Sequence, residues 1–156
     1  MNADLINIRK AVPTDAGAIA DVHVASWRAT YAGLVAQSYL DGLSVAERTA
    51  AWERRLGNDA QLHAIYLTSA VQRSGTGRKL VGAWAAVAVD RGLTAAVVQV
   101  LARNPSRGFY EHLGARHLED IEVVIGGERY TEACYGWADL RALATLCKHG
   151  SIRPRT

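Results

Sequence analysis

Two hydrophobic periodicities divide this chain into helices and strands. Apolar residues spaced three or four apart predict helices that begin at Thr14 or Asp15, at Ser44 and at Gly77. The short apolar runs predict strands at "LINIRKA" (5–11), "QLHAIYLT" (61–68) and "AAVVQVLA" (95–102). Strands that alternate with helices are typical of an α/β fold with a mixed central sheet and flanking helices.

The last part of the pattern predicts a short helix and a hairpin. Pro105 suits a first helical turn and Gly114 a helix end, so "PSRGFYEHLG" is predicted to be helical. Two strands then flank Gly126-Gly127, a pair typical of a tight hairpin turn. The chain shows no internal repeat, so residues 1–140 are predicted to form one domain and 141–156 a basic, frayed tail.

Composition narrows the class of protein. A chain of 156 residues with 49% hydrophobic and 21% charged residues can bury a core and is not disordered as a whole. Its apolar runs are too short to span a membrane, and charges within residues 1–20 argue against a signal peptide. Cys134 and Cys147 lack metal-ligand spacing, so we expect a reduced cytoplasmic protein without a metal.

The net charge of +3 is unevenly distributed. From Leu140 onward the chain has four basic residues and no acid, which leaves an RNA-associated tail as one alternative, although a nucleic-acid partner is not expected of the net acidic body. Residues 73–107 hold six basic groups and one acid, whereas residues 111–139 hold seven acids and two basic groups. This separation would suit an anionic cofactor beside a cationic substrate.

A glycine-containing loop, "QRSGTG" (72–77), joins the second predicted strand to a helix. Backbone N–H groups at such a junction can bind a phosphate, because glycines let the anion approach closely. The loop matches neither the Walker A motif nor the dinucleotide motif. An ordinary strand-helix turn therefore stays open as the alternative.

A second motif, "ARNPSRGFYEHLGA" (102–115), follows the next strand and places Asn104 six residues before Tyr110. The two motifs in this order resemble the GNAT superfamily of acetyl-coenzyme A-dependent N-acetyltransferases, and the resemblance extends over residues 5–140. It implies an acyl-CoA N-acyltransferase-like fold that uses acetyl-CoA as cosubstrate. The acetyl group would pass directly to a primary amine, on a small molecule or a peptide, in a ternary complex.

The resemblance also implies roles for particular residues. Tyr66 and Leu67 would pair with the pantetheine arm, Gln72 would stand at the loop entrance, and Asn104 would hold the pantetheine. Tyr110 would protonate the departing thiolate. For Tyr110 a core aromatic and for Asn104 a helix cap are the structural alternatives. The backbone that would cradle the pyrophosphate comprises Arg73, Ser74, Gly75, Thr76, Gly77 and Arg78.

The general base is less defined. Many relatives carry a glutamate where this chain has Gln61, which cannot accept a proton. His63 lies on the same strand face two residues on, so we take it as the candidate catalytic base, with Glu132 and Glu122 as alternatives. The aromatic residues expected near the acceptor, unless they are core residues, are Trp27, Tyr31 and Tyr39.

The chain departs from the superfamily before the 61–68 strand. Relatives usually carry a hairpin there, which needs roughly 15 to 20 residues, but only "GNDA" separates Leu56 from Gln61. Two strands are therefore predicted to be missing and the edge of the 61–68 strand to be unpaired. The first strand or a second subunit, in a homodimer, would cover that edge. A degenerate, non-catalytic acyl-CoA-binding module is the alternative function.

Overall fold

The computed structural model describes residues 8–56 and 65–148. Six α-helices, three strands and two 3-10 helices, Pro13–Asp15 and Ser69–Val71, lie in these two ranges. Residues 8–11 and 65–68, which were predicted to be strands, have no strand assignment, and the remainder of both segments lies outside the described ranges. The elements are α1 (Ala16–Thr30), α2 (Gln37–Asp41), α3 (Val45–Leu56), α4 (Thr76–Asp90), β1 (Ala96–Leu101), α5 (Arg107–His112), β2 (Arg116–Ile125), β3 (Glu128–Trp137) and α6 (Leu140–Lys148).

The described strands form one antiparallel sheet in the order β1-β3-β2. Gly126 and Gly127 both have positive φ angles, so the predicted hairpin turn between β2 and β3 is confirmed. A segment forms a strand only when a neighbouring strand pairs with it. The four residues between Leu56 and Gln61 are too few for the hairpin that relatives usually carry there. No strand of the described sheet pairs with residues 65–68, so the prediction of a strand over these four residues is wrong.

Several helix predictions are confirmed at their N-termini. The helix after Ser44 begins at Val45, and the Ser44 hydroxyl accepts the Glu47 N–H at 3.3 Å. The predicted helix at Pro105 starts later, at Arg107, because Asn104 and Pro105 form a turn of their own. Val87 falls on the apolar side of α4 by its helical spacing from Val81 and Trp84, but it is 50% exposed.

Two clusters of apolar side chains pack on opposite faces of the sheet. One lies between the sheet and helices α4 and α6, where Val81, Val100 and Leu140 are buried. The other lies beneath α1 and α2 and includes Val24, Leu40 and Leu101. Leu101 follows Val100 on β1, and consecutive strand residues face opposite sides, so β1 serves both clusters.

Helix α6 corrects the prediction of a frayed tail from residue 141. Leu140, Leu143, Ala144 and Cys147 follow a helical spacing and are all buried against α4. The tail prediction was based on the basic residues of this segment and did not consider the helical spacing of its apolar residues. Residues 149–156 lie outside the described ranges.

The tightest point of the α4–α6 contact is Gly82. A Cβ atom at Gly82 would lie 2.4 Å from the Cβ of Cys147, which is far inside van der Waals contact. We expect Gly82→Ala to lower the free energy of unfolding by about 1–3 kcal/mol, the usual cost of overpacking. Urea denaturation followed by circular dichroism measures the change.

Gly17→Ala is the matched control for this substitution. Gly17 lies in α1, and an added Cβ would meet no atom within 4 Å. Because alanine favours the helix over glycine, Gly17→Ala should leave stability unchanged or raise it by up to about 1 kcal/mol. Equal effects of the two substitutions would contradict the close α4–α6 packing.

Candidate active site

A cleft of about 910 Å³ separates segment 65–78 from β1 and α5. Trp27 of helix α1 and its C-terminal cap, Tyr31, lie at one end, and β3 contributes Glu132. Most of the sequence-predicted residues therefore meet in one place. Those that line the cleft are Tyr66, Leu67, Gln72, Arg73, Gly75, Gly77, Arg78, Asn104 and Tyr110.

The loop that opens α4 presents a row of unpaired backbone donors. The first amide of the helix that has an intrahelical acceptor is Lys79, which donates to the Gly75 carbonyl at 3.1 Å. Among the described residues, no acceptor meets the N–H groups of residues 73–78. Arg73 and Gly75 both adopt left-handed φ angles, of 59° and 84°. Unpaired N–H groups at a helix N-terminus favour an anion, because the helix dipole adds to their own partial charges.

Arg78 adds a positive charge at this loop. Its terminal amino group donates to the carbonyl of Leu146 in α6. Its Nε atom is buried and has no hydrogen-bond partner among the residues that the structure describes. A buried guanidinium N–H without an acceptor is costly unless a bound group completes it. The amide row and this orphaned donor together fit the pyrophosphate of a nucleotide-containing cofactor.

Ser74 and Thr76 act from inside the loop and are not part of the cleft lining. The Ser74 hydroxyl donates to the Val71 carbonyl at 2.6 Å and lies 2.7 Å from the Thr76 hydroxyl. Close packing also favours glycine at position 77, because a Cβ atom there would lie 3.2 Å from atoms of both Leu67 and Phe109. The loop is therefore shaped by its own hydroxyls and by close packing.

Gln72 and Leu67 meet at the entrance of the loop. The Gln72 side-chain amide donates to the Leu67 carbonyl at 3.1 Å. Within the part of the chain that the structure describes, the Leu67 N–H has no acceptor. Segment 65–67 thus offers the cleft a free backbone donor.

Asn104 uses its side chain to join two parts of the site. Its carbonyl oxygen accepts the Ser106 N–H at 2.8 Å, which forms the turn before α5. Its amide group donates to the Tyr31 hydroxyl at 2.8 Å, which connects this turn to α1. The side chain is buried at 9% exposure. Asn104 thus forms the turn before α5 and faces the cleft, but the N-cap of α5 is Ser106, so the helix-cap alternative for Asn104 is wrong.

Tyr110 lies on α5 with its ring against Trp137 and Phe109. Burial raises the pKa of Tyr110 to about 12, and the nearby Tyr31 and Tyr66 phenols add to the shift. The phenol therefore stays protonated across the neutral pH range and acts as a hydrogen-bond donor.

An aromatic wall closes the α1 end of the cleft. The Trp27 and Tyr31 rings lie 4.7 Å apart, and the Trp27 indole donates to the Tyr66 hydroxyl at 3.1 Å. His23 stacks on Tyr66 at 4.5 Å and accepts the Trp52 indole N–H at Nδ1. Since an indole can only donate, this bond requires an unprotonated Nδ1 and therefore a neutral His23. Its Nε2–H then faces the Tyr66 hydroxyl at 3.2 Å.

Of the three candidate bases, the structure brings Glu132 to the cleft. Glu132 is opposite Leu101 in the β1–β3 register, and burial raises the pKa of its carboxyl. Glu122 does not line the cleft, because it is 63% exposed and accepts a hydrogen bond from Arg129 at 2.7 Å. His63 lies outside the described residues.

Gln99 is a lining residue that sequence reasoning missed. Its signal was one polar residue within the apolar run "AAVVQVLA", which was predicted to be a strand. Gln99 is exposed on the open edge of β1 toward segment 65–67.

In the described ranges, no group of three or more acidic, histidine or cysteine residues could hold a metal ion. No helix in those ranges is long and apolar enough to cross a membrane.

Comparison with known proteins places this geometry in a family. Residues 39–124 match the family model described as FR47-like protein. An uncharacterized N-acetyltransferase of Bacillus subtilis, YuaI, is 31% identical over 170 residues, which cover 91% of this chain and 98% of the relative. The aligned region is longer than the 156-residue chain, so the relative has residues where this chain has none. A shortened family member would give this difference.

Two solved structures share the fold. A GCN5-related N-acetyltransferase from Rhodopseudomonas palustris has a TM-score of 0.70 at 18% identity, covering 83% of this chain and 93% of its own. PaiA N-acetyltransferase from Thermoplasma acidophilum, solved in complex with coenzyme A, has a TM-score of 0.64 at 16% identity, covering 81% and 96%. From the family match, the homologue and the shared fold, we conclude that the chain belongs to the FR47-like family of GCN5-related (GNAT) N-acetyltransferases.

Proposed function

We propose that this N-acetyltransferase binds acetyl-CoA in the cleft and transfers the acetyl group directly to a primary amine in a ternary complex. The observation that carries the proposal is the row of unpaired N–H groups at residues 73–78, at one end of a cleft that also holds Tyr110 and Glu132. The coenzyme A complex of the Thermoplasma structure supports the choice of ligand. The acyl carrier supplies the reactive thioester, and the protein supplies orientation and polarisation.

The donor would be held by backbone more than by side chains. The amides of residues 73–78 and the Arg78 guanidinium would bind the pyrophosphate. The extended segment Tyr66–Leu67 would pair with the pantetheine arm as an added strand. Asn104 keeps one side-chain N–H for the pantetheine, because a primary amide has two and Tyr31 takes the other.

Two donors would act on the thioester. The free Leu67 N–H would hydrogen-bond the carbonyl oxygen as negative charge develops on it. Tyr110 would donate to the departing sulfur. Its pKa of about 12 makes complete proton transfer to a thiolate, whose ordinary pKa is ~8.5, unfavourable. Tyr110 would therefore stabilise the thiolate by a hydrogen bond. An amine that arrives as an ammonium ion would lose its first proton to the base, and after attack the nitrogen is again cationic. Its second proton would pass to the thiolate as the C–S bond breaks.

The amine must lose a proton, and two residues are proposed to take it. Glu132 lines the cleft, and its raised pKa makes it a better base than an exposed carboxylate. His63 is proposed on the resemblance to the superfamily. A carboxyl group and an imidazole ordinarily have different pKa values, so the pH dependence of the rate can distinguish Glu132 from His63.

A non-catalytic acyl-CoA-binding module is the second candidate function. The greater length of the aligned relative favours it, because residues lost before the cleft would open the acceptor end. Release of free thiol from acetyl-CoA in the presence of a panel of amines separates the two functions. Thiol release that depends on the amine supports the transferase, and tight acetyl-CoA binding without it supports the module.

We expect a negative charge at Gly75 to weaken acetyl-CoA binding. Gly75 has a left-handed φ of 84°, which asparagine and aspartate tolerate best among the non-glycine residues. Gly75→Asp and Gly75→Asn have nearly the same shape and differ in charge. Isothermal titration calorimetry should show the Asp variant binding at least about tenfold more weakly than the Asn variant, because a carboxylate would repel the pyrophosphate. Equal affinities would remove the phosphate site from this loop.

Tyr110→Phe should lower turnover and spare binding. Loss of the donor hydroxyl should reduce kcat by roughly 10²-fold, the size expected for such a group, and leave the acetyl-CoA affinity within about twofold. Tyr135→Phe is the control, since the Tyr135 hydroxyl is also buried but donates to Glu111 outside the cleft. A similar loss of kcat in both variants would argue for a general packing effect.

The pH–rate profile should identify the base. A carboxylate base is active when deprotonated, so kcat/KM should rise with pH through the Glu132 pKa, which burial places above its usual value. Glu132→Gln should abolish this acidic limb if Glu132 is the base. A limb near pH 6.5 that survives Glu132→Gln and disappears in His63→Gln would instead assign the role to His63.

A further inference from the structure

A second cavity of about 380 Å³ lies next to the cleft, at the C-terminal end of β1. We call it the arginine cavity, after Arg103 and Arg129, which line it with Leu101 and Thr131. Its outer wall includes Leu34 and Tyr130. The Ala36 N–H donates to the Tyr130 hydroxyl at 3.1 Å, which fastens the segment after α1 to β3. The wall of the cavity is therefore built by two elements that are tied together.

The arginine cavity and the cleft meet at one residue pair. Leu101 lines both, and its partner across the β1–β3 ladder is Glu132. Thr131, which precedes Glu132 on β3, lines the arginine cavity. Its carbonyl accepts the Ala102 N–H at 2.8 Å. Glu132 thus stands at the boundary between the two spaces. An acceptor that extends past the Leu101–Glu132 boundary would have one end at Glu132 and the other in the arginine cavity.

The charged residues that line the arginine cavity are both cationic. Arg103 is exposed and has no hydrogen-bond or ion-pair partner among residues 8–56 and 65–148. Arg129 pairs with Glu122, but both side chains are more than 60% exposed, so exchange of this weak pair for a ligand costs little. The Tyr130 hydroxyl already donates to Glu128 at 2.7 Å. Recognition in this cavity therefore falls to the two guanidinium groups, whose planar donors match carboxylate and phosphate oxygens.

We propose that the arginine cavity binds an anionic group carried by the acceptor, so that the acceptors of this protein are amines that also bear a carboxylate or a phosphate. The amino group lies at Glu132, and Arg103 and Arg129 hold the anion. The inference rests on the proposed acetyl transfer and adds the substrate class. A purely cationic amine would make no favourable contact with either arginine.

Matched acceptors test this assignment. We compare ω-amino carboxylates of increasing chain length with their carboxamides and with the corresponding ω-amino phosphates, and we measure kcat/KM by thiol release from acetyl-CoA. At the best chain length the anionic acceptors should exceed the carboxamide by at least about tenfold, the effect of one charge-assisted hydrogen bond. Arg103→Gln or Arg129→Gln should reduce this ratio toward one. Arg141→Gln, at an exposed position on α6 outside both cavities, should keep it.

A binding measurement separates failure of this inference from failure of the proposed reaction. Amide chemical shifts of the protein are followed while the ω-amino carboxylate or its carboxamide is added. Preferential binding of the carboxylate that is lost in Arg103→Gln supports the cavity even without turnover, in which case only the proposed reaction fails. Equal use and equal binding of the carboxylate and the carboxamide, or a preference that survives both arginine substitutions, would overturn the inference.

Discussion

The row of unpaired backbone N–H groups at residues 73–78 is the feature on which the rest of the site depends. Polar backbone groups without partners are unfavourable unless a ligand or water completes them, so the surrounding structure must hold the loop in this conformation. Left-handed Arg73 and Gly75 set the turn, and the Ser74 hydroxyl holds it from inside. Helix α4 begins at once, so its dipole is added to the same point.

Helix α6 supports this arrangement from behind. It packs along α4 through a contact so close that Gly82 leaves no room for a Cβ next to Cys147. Near its C-terminal end, the Leu146 carbonyl accepts a hydrogen bond from Arg78, the residue with the buried and unpaired Nε. The position of the Arg78 guanidinium at the proposed anion site thus depends on a helix almost seventy residues away in sequence. Since packing is dense, a change in α6 would be transmitted to the loop.

The acceptor end is organised by a different set of contacts. Asn104 connects the turn before α5 to Tyr31 at the end of α1. These bonds fix the position of α5, which bears Tyr110, relative to the aromatic wall. Glu132 reaches this space from β3 and remains partly buried, which raises the pKa of its carboxyl. Beyond it, Arg103 and Arg129 provide positive charge. The site therefore changes from cationic at the loop to anionic at Glu132 and back to cationic in the arginine cavity.

The sequence by itself determined the features that depend on neighbouring residues. The glycine loop, the "RNPSRGFYEHLG" motif and the Gly126-Gly127 turn were recognisable because local backbone geometry requires those residue types. Only the tertiary structure decided how distant side chains meet. Pairing of β3 with β1 brings Glu132, one of the seven acids of residues 111–139, to the cleft, and packing on α4 orders residues 140–148 as helix α6. Such contacts depend on the relative positions of whole elements, and the order of residues along one element does not encode them.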